Sequence, residues 1–249
     1  MPADLRMVRM RFDVPRLFEL GKRRRLPAGD ADLGYLLHCE LKELFGDEAP
    51  GPFFVLPGEA RHVTVVAYTT RSKVELAQHA RAFADPGVFA ACDFSDDHFA
   101  EKEMPREWRA GERLGFEARV CPIVRMSSAG RNWAKGAEVD AFLARCWKQE
   151  GQSVSREEVY RDWLAREVGR GGAAQLLKFD MHGFQRDRLL RRDHGPERRS
   201  HLAERPDVRV SGELQVEDGA AFSAVLARGL GRHRAFGFGM LILRPARPC

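Results

Sequence analysis

The chain has 249 residues, of which 44% are hydrophobic, and it carries a formal net charge of +5. This length allows one large domain or two small ones, and the moderate basic excess favours a nucleic-acid partner. Five scattered cysteines without C-x-x-C spacing argue against a disulfide framework and a zinc site. The chain shows no signal peptide or membrane-spanning run, so we expect a cytoplasmic protein.

The first half of the chain predicts alternating strands and helices. Val8, Met10 and Phe12 alternate as they would on one face of a strand. The predicted elements are a strand over 5–12, a basic connection over 21–29, a helix from a cap at Asp30 or Asp32 to Phe45, strands over 53–56 and 62–68, a helix over 74–83 and a strand over 113–124. This β-α-β-β-α-β order is typical of a ferredoxin-like domain, which we expect over residues 1–125.

The second half is less regular but follows a similar plan. Ser155 and Glu158 form a capping-box pattern. The predicted elements are helices over 138–148 and 156–168, one or two strands over 175–190, a strand over 208–216, a helix that begins near Asp218 and a final strand over 240–243. We therefore expect a second, elaborated ferredoxin-like domain over residues 126–249, and the α+β class for the whole chain.

A glycine-rich loop over 229–239 lies between the last helix and the last strand. Nucleotide-binding loops have the opposite order, strand then glycines then helix, so this loop argues against a nucleotide cofactor. Basic side chains at Arg232, His233 and Arg234, with Gly231 and Gly237 allowing close approach, favour an RNA backbone. A helix-capping turn with solvated arginines is an equally good interpretation of these residues alone.

The first long helix carries a second candidate feature. Tyr35 and His38 are three residues apart, so they share a helix face away from the leucine stripe. A histidine can exchange a proton near neutral pH, and a neighbouring tyrosine hydroxyl can assist it in acting on a ribose 2′-hydroxyl. For an isolated Tyr-x-x-His pattern, a partly exposed histidine without a role is the commoner case.

Two basic segments complete the candidate surface. The first precedes the first long helix, where the backbone amides of a helix N-terminus favour anions, and consists of Lys22, Arg23, Arg24 and Arg25. The second lies within 184–192 and contributes Arg186, Arg188, Arg191 and Arg192. For the first segment a solvated loop is the commoner case, and part of the second is a mixed surface, because acidic residues are interspersed with it.

Four segments, in the same order, resemble CRISPR RNA-processing endoribonucleases of the RAMP superfamily. Segment 229–245 is similar to the G-I-G-R-x-K-A-F-G-x-G-L-L-x-L-x-P signature of the CasE-type branch. Segments 35–45, 114–122 and 210–218 are similar to Y-x-L-H-x-x-L-W-x-L-F, L-x-F-R-L-x-x-N-P and F-x-G-x-L-x-V-x-D. Arg234, Lys42 and Cys121 depart from the usual lysine, tryptophan and asparagine, which is typical of a divergent relative, such as one serving type IV systems.

The resemblance implies tandem ferredoxin-like domains and metal-independent cleavage within a precursor CRISPR RNA repeat, which leaves a 2′,3′-cyclic phosphate. It assigns His38 as catalytic and Tyr35 as its assistant, with the glycine loop holding RNA. It implies no cofactor and no metal site. The implied partners are the repeat hairpin, the mature guide RNA and other effector subunits.

Two alternatives stay open on the sequence. Catalysis can depend on an arginine cluster in which Arg23, Arg24 or Arg25 acts with Arg232 or Arg234, by neutralising the phosphate and not by proton transfer. The chain can also be a RAMP-type subunit that binds RNA without cutting it. A general RRM-like protein is disfavoured, because the chain has no RNP aromatic signature.

Overall fold

The computed structural model describes residues 4–24, 33–58, 60–149, 151–192 and 200–246. Its helices are α1 (Val14–Arg23), α2 (Leu33–Phe45), α3 (Lys73–Phe83), α4 (Pro86–Phe89), α5 (Ala141–Lys148), α6 (Arg156–Val168) and α7 (Gly219–Arg228). Its strands are β1 (Arg6–Asp13), β2 (Phe53–Leu56), β3 (His62–Thr69), β4 (Cys92–Asp93), β5 (Ala100–Glu103), β6 (Arg113–Val120), β7 (Ile123–Arg125), β8 (Glu138–Asp140), β9 (Ala174–Arg192), β10 (Ser200–Val216) and β11 (Ile242–Pro245).

The first sheet is antiparallel with the order β2-β3-β1-β4, and β5 also pairs with β1. Val8, Met10 and Phe12 are buried, as their alternation predicts, and they pack against Leu37 and Leu41 of α2. The apolar stripe of α2 therefore fixes this helix on one face of the sheet.

The second sheet is also antiparallel and has the order β11-β6-β10-β9. With β6 counted as its first strand, this is the same 4-1-3-2 arrangement as in the first sheet. Phe116 of β6 and Val210 of β10 form the core with Leu164 of α6 and Phe222 of α7. The molecule thus contains two tandem ferredoxin-like units, the second enlarged by the small β7-β8 hairpin and by α5.

The strand pairing corrects one assignment made from the sequence. The strand predicted over 113–124 does not complete the first unit, because Arg113–Val120 pairs with β10 and β11 of the second sheet. The fourth position of the first sheet is taken by β4 and β5, whose short lengths gave no clear alternating pattern. We therefore propose a domain boundary within 104–112 instead of at residue 125.

A second correction concerns the basic connection predicted over 21–29. Lys22 and Arg23 form the last turn of α1, so they lie at a helix C-terminus and not in a loop. Asp13 caps this helix by accepting from the Arg16 amide, and Leu17 and Leu20 bury its inner face. No part of α1 was predicted.

The first unit also contacts the core of the second. Phe54, Val66 and Tyr68 on the open face of the first sheet join the apolar cluster of the second unit. The Tyr68 hydroxyl donates to the Leu241 carbonyl at 2.8 Å. This contact leaves a cleft between α2 and the loop over 229–239. No helix in the described ranges combines the length and apolar character that a membrane span requires.

Candidate functional site

Helix α2 presents two different faces. Leu37, Leu41 and Leu44 pack on the first sheet, whereas Tyr35 belongs to a separate small cluster that includes Phe236 of the glycine loop. Because a side chain at i+3 lies beside the side chain at i, His38 shares the face of Tyr35. The sheet contact therefore turns both predicted catalytic side chains towards the second domain.

Phe236 brings the glycine loop against these two side chains. Its ring centroid lies 5.9 Å from that of Tyr35, with the rings stacked, and 5.4 Å from that of His38 in an edge arrangement. The rings of Tyr35 and His38 are 6.4 Å apart. The two features that the sequence predicted separately, the helix pair and the loop, thus meet in one place.

Two glycines let the loop pack closely against the rest of the protein. Gly231 has φ of +64°, and a Cβ at this position would lie 2.6 Å from Trp163 Cζ2. Gly237 has φ of +83°, and a Cβ there would lie 2.9 Å from Phe53 Cε2. The close approach that the sequence assigned to an RNA backbone is made by the aromatic side chains of both domains.

Around this contact lies an open cleft of about 1460 Å³. Seven arginines and three glutamates line it, so its surface is strongly cationic. The arginines are Arg24, Arg125, Arg166, Arg170, Arg228, Arg232 and Arg234. Such a surface attracts a polyanion more strongly than the net charge of the whole chain indicates.

His38 is half-buried at the edge of this cleft. Burial, and secondarily the positive charge of Lys42, lower the pKa of its imidazole from the ordinary value. The neutral form therefore predominates at neutral pH, and a neutral imidazole is able to accept a proton.

The carboxylate of Glu138, on β8, contacts the basic side chains of the glycine loop. Its Oε1 accepts from Arg232 Nε at 2.6 Å, and its Oε2 lies 3.2 Å from His233 Nε2 and 3.3 Å from Arg205 Nη2. Burial opposes ionisation of this carboxyl, yet the neighbouring His233, Arg232 and Arg205 outweigh burial and lower the pKa of Glu138. Two of the predicted RNA-binding side chains are thus already held by a carboxylate.

Arg234 has a different environment. Its Nη1 donates to the Arg228 backbone carbonyl at 2.5 Å. Within the described part of the chain, no carboxylate forms an ion pair with Arg125, Arg166, Arg228 or Arg234. These four arginines account for the excess positive charge of the cleft.

The first basic segment is divided by the structure. Arg24 lines the cleft and pairs with Glu43, and its Nη2 lies 3.9 Å from Glu40 Oε2. Arg23 is exposed at the end of α1, with its guanidinium beside Gly87 of α4, and Lys22 is exposed as well. Neither of them lines the cleft, and Arg25 lies outside the described residues.

The second basic segment lies on the long β9-β10 hairpin. Arg186 and Arg188 are exposed and approach Glu204 at 3.8 and 3.9 Å. The backbone of Arg191 and Arg192 continues β9, but their side chains fall outside the described residues. Neither Arg186 nor Arg188 lines the cleft, so this part of the hairpin forms a separate surface.

The sequence analysis missed Arg125, Arg166, Arg170 and Arg228, which complete the cationic lining of the cleft. Arg166 lies in the last turn of α6, whereas Arg170 follows the end of that helix, so helical spacing does not pair them. The positions of Arg125 and Arg228 depend on how the two units pack, which no local pattern shows. In the described ranges, no group of three or more His, Cys, Asp or Glu side chains is arranged to hold a metal ion.

The chain was compared with protein families, curated proteins and solved structures. The family model described as CRISPR associated protein matches residues 8–245. A search of curated proteins found no match.

Solved structures share the fold. Thermus thermophilus Cse3 bound to an RNA representing a pre-cleavage complex is 19% identical, with 97% of this chain and 100% of that chain covered and a TM-score of 0.63. Cas6e from Escherichia coli K-12 is 16% identical, with 96% and 100% covered and a TM-score of 0.55. A chain of a CRISPR RNA-guided surveillance complex is 16% identical, with 97% and 100% covered and a TM-score of 0.58. Because the family model spans nearly the whole chain, the protein belongs to the CRISPR-associated protein family.

Proposed function

We propose that this protein is a metal-independent endoribonuclease that cleaves precursor CRISPR RNA within its repeat and then retains the mature guide RNA. One observation carries the proposal: Tyr35 and His38 face a cleft lined by seven arginines. The likeness to RNA-bound Cse3 supports the same conclusion, since that protein has the same fold.

The chemistry begins at the ribose 2′-hydroxyl before the scissile phosphate. Neutral His38 accepts the hydroxyl proton as the 2′-oxygen forms a bond to phosphorus. The bond from phosphorus to the 5′-oxygen then breaks, the leaving oxygen takes a proton from water, and His38 releases its own proton to solvent. The products are a 2′,3′-cyclic phosphate and a 5′-hydroxyl. Tyr35 assists by orienting the reacting groups beside the imidazole.

The arginines stabilise charge that builds up on phosphorus during the attack. Fixed cations contribute to rate when they bind the transition state more tightly than the ground state. Arg234 suits this role because it lies in the same loop as Phe236, which contacts His38. Arg232 suits it less, because Glu138 already neutralises it.

This arrangement favours histidine chemistry over the arginine-only alternative. That alternative relied on Arg23, Arg24 or Arg25 acting with Arg232 or Arg234, and Arg25 lies outside the described residues. Arg23 points towards α4, and Arg24 is paired with Glu43. A half-buried, neutral imidazole at the edge of the cleft is the better proton acceptor.

The hairpin surface formed by Arg186 and Arg188 suits a second role. Duplex RNA is recognised mainly through its shape and its phosphates, so exposed arginines on a long hairpin fit the stem of the repeat. Retention of the product would allow this protein to enter an effector assembly, as the similar chain in the surveillance complex does.

The decisive experiment mixes the purified chain with repeat RNA from the genome that encodes it, in the presence of EDTA. We expect a single cut whose upstream product ends in a cyclic phosphate, detected by mass spectrometry. Replacement of the 2′-hydroxyl before the cut by hydrogen should abolish cleavage and leave binding intact.

A repeat RNA that is bound tightly but never cut would contradict the endonuclease and support the non-catalytic subunit. Cleavage that EDTA abolishes and Mg²⁺ restores would contradict the metal-independent mechanism. Absence of any preference for repeat RNA would contradict both.

A further inference from the structure

Three arginine side chains converge on the loop side of the cleft, near the junction of α6 and α7. Arg170 follows α6, Arg228 ends α7, and Arg234 lies in the glycine loop. Arg234 donates to the Arg228 carbonyl at 2.5 Å, so these two residues are tied together. Burial and the guanidinium of Arg170 lower the pKa of Arg228 more than Glu167 raises it, and Arg234 lowers it slightly further. Like charges are therefore close together here.

Glu167 is the nearest source of negative charge, but both of its oxygens are already used. Its Oε1 accepts from Arg170 Nη2 at 2.6 Å. Its Oε2 accepts from the Gly231 amide at 2.9 Å. One carboxylate thus serves one guanidinium and the loop backbone, and its charge only partly offsets the positive charge of Arg228.

The side chain of Arg228 shows most directly that this region has more positive than negative charge. Its Nη2 is buried and has no hydrogen-bond acceptor, although other atoms of the side chain line the open cleft. A buried donor on a cation without an acceptor is costly. Rotation of this side chain into the cleft would relieve the cost if an anionic oxygen were present there, because an arginine binds a phosphate through two parallel hydrogen bonds.

We propose that Arg228, with Arg170 and Arg234, forms a phosphate-binding subsite on the loop side of the cleft. The ligand is a phosphate group, either a backbone phosphodiester of bound RNA or free inorganic phosphate. The RNA source rests on the proposed function, whereas the subsite itself does not.

The first test measures RNA affinity with single methylphosphonate linkages, which remove the charge of one phosphate at a time. The repeat RNA carries a 2′-deoxy nucleotide before the cleavage position so that it stays intact. In the wild-type protein, neutralising the phosphate held by the subsite should weaken binding about tenfold. In Arg228→Met, the same linkage should weaken RNA binding less than about threefold, because the contact is already lost.

The second test needs no RNA. Inorganic phosphate should raise the melting temperature of the wild-type protein above that in chloride at equal ionic strength. Arg228→Met should lose most of this rise. Arg109→Met is the matched control, because Arg109 is exposed and lies outside the cleft. Arg228→Lys, which keeps the charge, should retain part of the effect and guards against a general folding defect.

An effect of Arg228→Met in either test supports the subsite, and the responding test identifies the source of the phosphate. If the protein neither binds nor cuts repeat RNA, the phosphate measurement still decides. The proposal is overturned if phosphate stabilises Arg228→Met as much as wild type and every methylphosphonate costs the two proteins equally.

Discussion

The two walls of the cleft are built differently. On the helix wall, Tyr35 and His38 stand on α2, whose leucine face is anchored in the first sheet. On the loop wall, the backbone turns through Gly231 and Gly237, and arginines surround it. The helix wall is uncharged at neutral pH where it meets the loop, whereas the loop wall carries the positive charge.

This difference separates two tasks that the proposed ribonuclease activity requires. Proton transfer needs a group whose pKa lies near or below neutrality and whose position is fixed, and His38 on α2 meets both conditions. Charge neutralisation needs permanent cations, which arginines supply. We therefore expect changes on the helix wall to alter mainly the cleavage rate, and changes on the loop wall to alter RNA binding and, at Arg234, the rate as well.

The largest effect is expected for His38→Ala. Loss of the proton acceptor should slow cleavage by roughly 10²- to 10⁴-fold, with repeat RNA affinity changed by less than about threefold. Single-turnover rates at saturating protein, together with binding measured on uncleavable RNA, separate the two quantities. His79→Ala on α3 is the matched control, because that imidazole lies outside the cleft.

The pH dependence gives the same variant a sharper readout. Since burial and Lys42 lower the pKa of His38, cleavage at subsaturating protein should rise with pH through a midpoint below 6.5 and then level off. Any residual activity of His38→Ala should lack this acid limb. Full activity in the variant would move the chemistry to the arginines and remove the distinction between the two walls.

The next prediction concerns the stability that the glycine backbone of the loop wall provides. Gly231→Ala combines a left-handed backbone with a Cβ that would lie 2.6 Å from Trp163. We expect it to lose roughly 2–4 kcal/mol of unfolding free energy, measured by urea denaturation. Gly111→Ala has a similar backbone angle, φ of +85°, but open space around the added methyl group. It should lose only about 1 kcal/mol, and equal losses in the two variants would contradict the packing explanation.

A third prediction concerns the buried side of α2. Glu40 is fully buried, neither of its carboxylate oxygens has a hydrogen-bond partner, and burial raises its pKa to about 8. Between about pH 4.5 and pH 8, Glu40 therefore keeps its proton in the folded protein and releases it in the unfolded chain. The free energy of unfolding thus falls as pH rises.

Glu40→Gln removes this titration while keeping a neutral side chain of the same shape. The difference in unfolding free energy between variant and wild type should shift in favour of the variant by roughly 2–3 kcal/mol from pH 5 to pH 7.5. Urea denaturation at each pH measures it. Glu43→Gln is the control, since Glu43 is largely exposed and pairs with Arg24. Parallel pH profiles for wild type and Glu40→Gln would show that Glu40 is ionised at neutral pH.

The sequence predicted the helix wall well and the loop wall only in part. Tyr35 and His38 are placed by the local period of α2, which the leucine stripe reveals without any tertiary information. The arginines Arg125 and Arg228 reach the cleft only because the first sheet packs against the core of the second unit. The partner of Arg232 was invisible for the same reason, since Glu138 is distant in sequence.

The strand assigned to the wrong unit has a related cause. Leu114, Phe116 and Ala118 alternate clearly, so the strand itself was predictable, but alternation does not name a pairing partner. The register with β10, where Leu214 faces Leu114, is a long-range contact. Short β4 and β5 carried too little pattern to compete for the same place.

The smallest effect distinguishes two arginines within one loop. Arg234→Gln should weaken uncleavable repeat RNA binding by about tenfold and reduce the salt slope of log affinity by about 1, because no carboxylate neutralises this side chain in the described structure. Arg232→Gln should weaken binding by no more than about twofold, because an RNA phosphate must first displace Glu138, which offsets most of the gain. The double change Arg232→Gln with Glu138→Gln should then bind about as well as the wild type. If Arg232→Gln instead matched Arg234→Gln in both affinity and salt slope, Glu138 would not shield the loop, and the cations of this wall would act as one set.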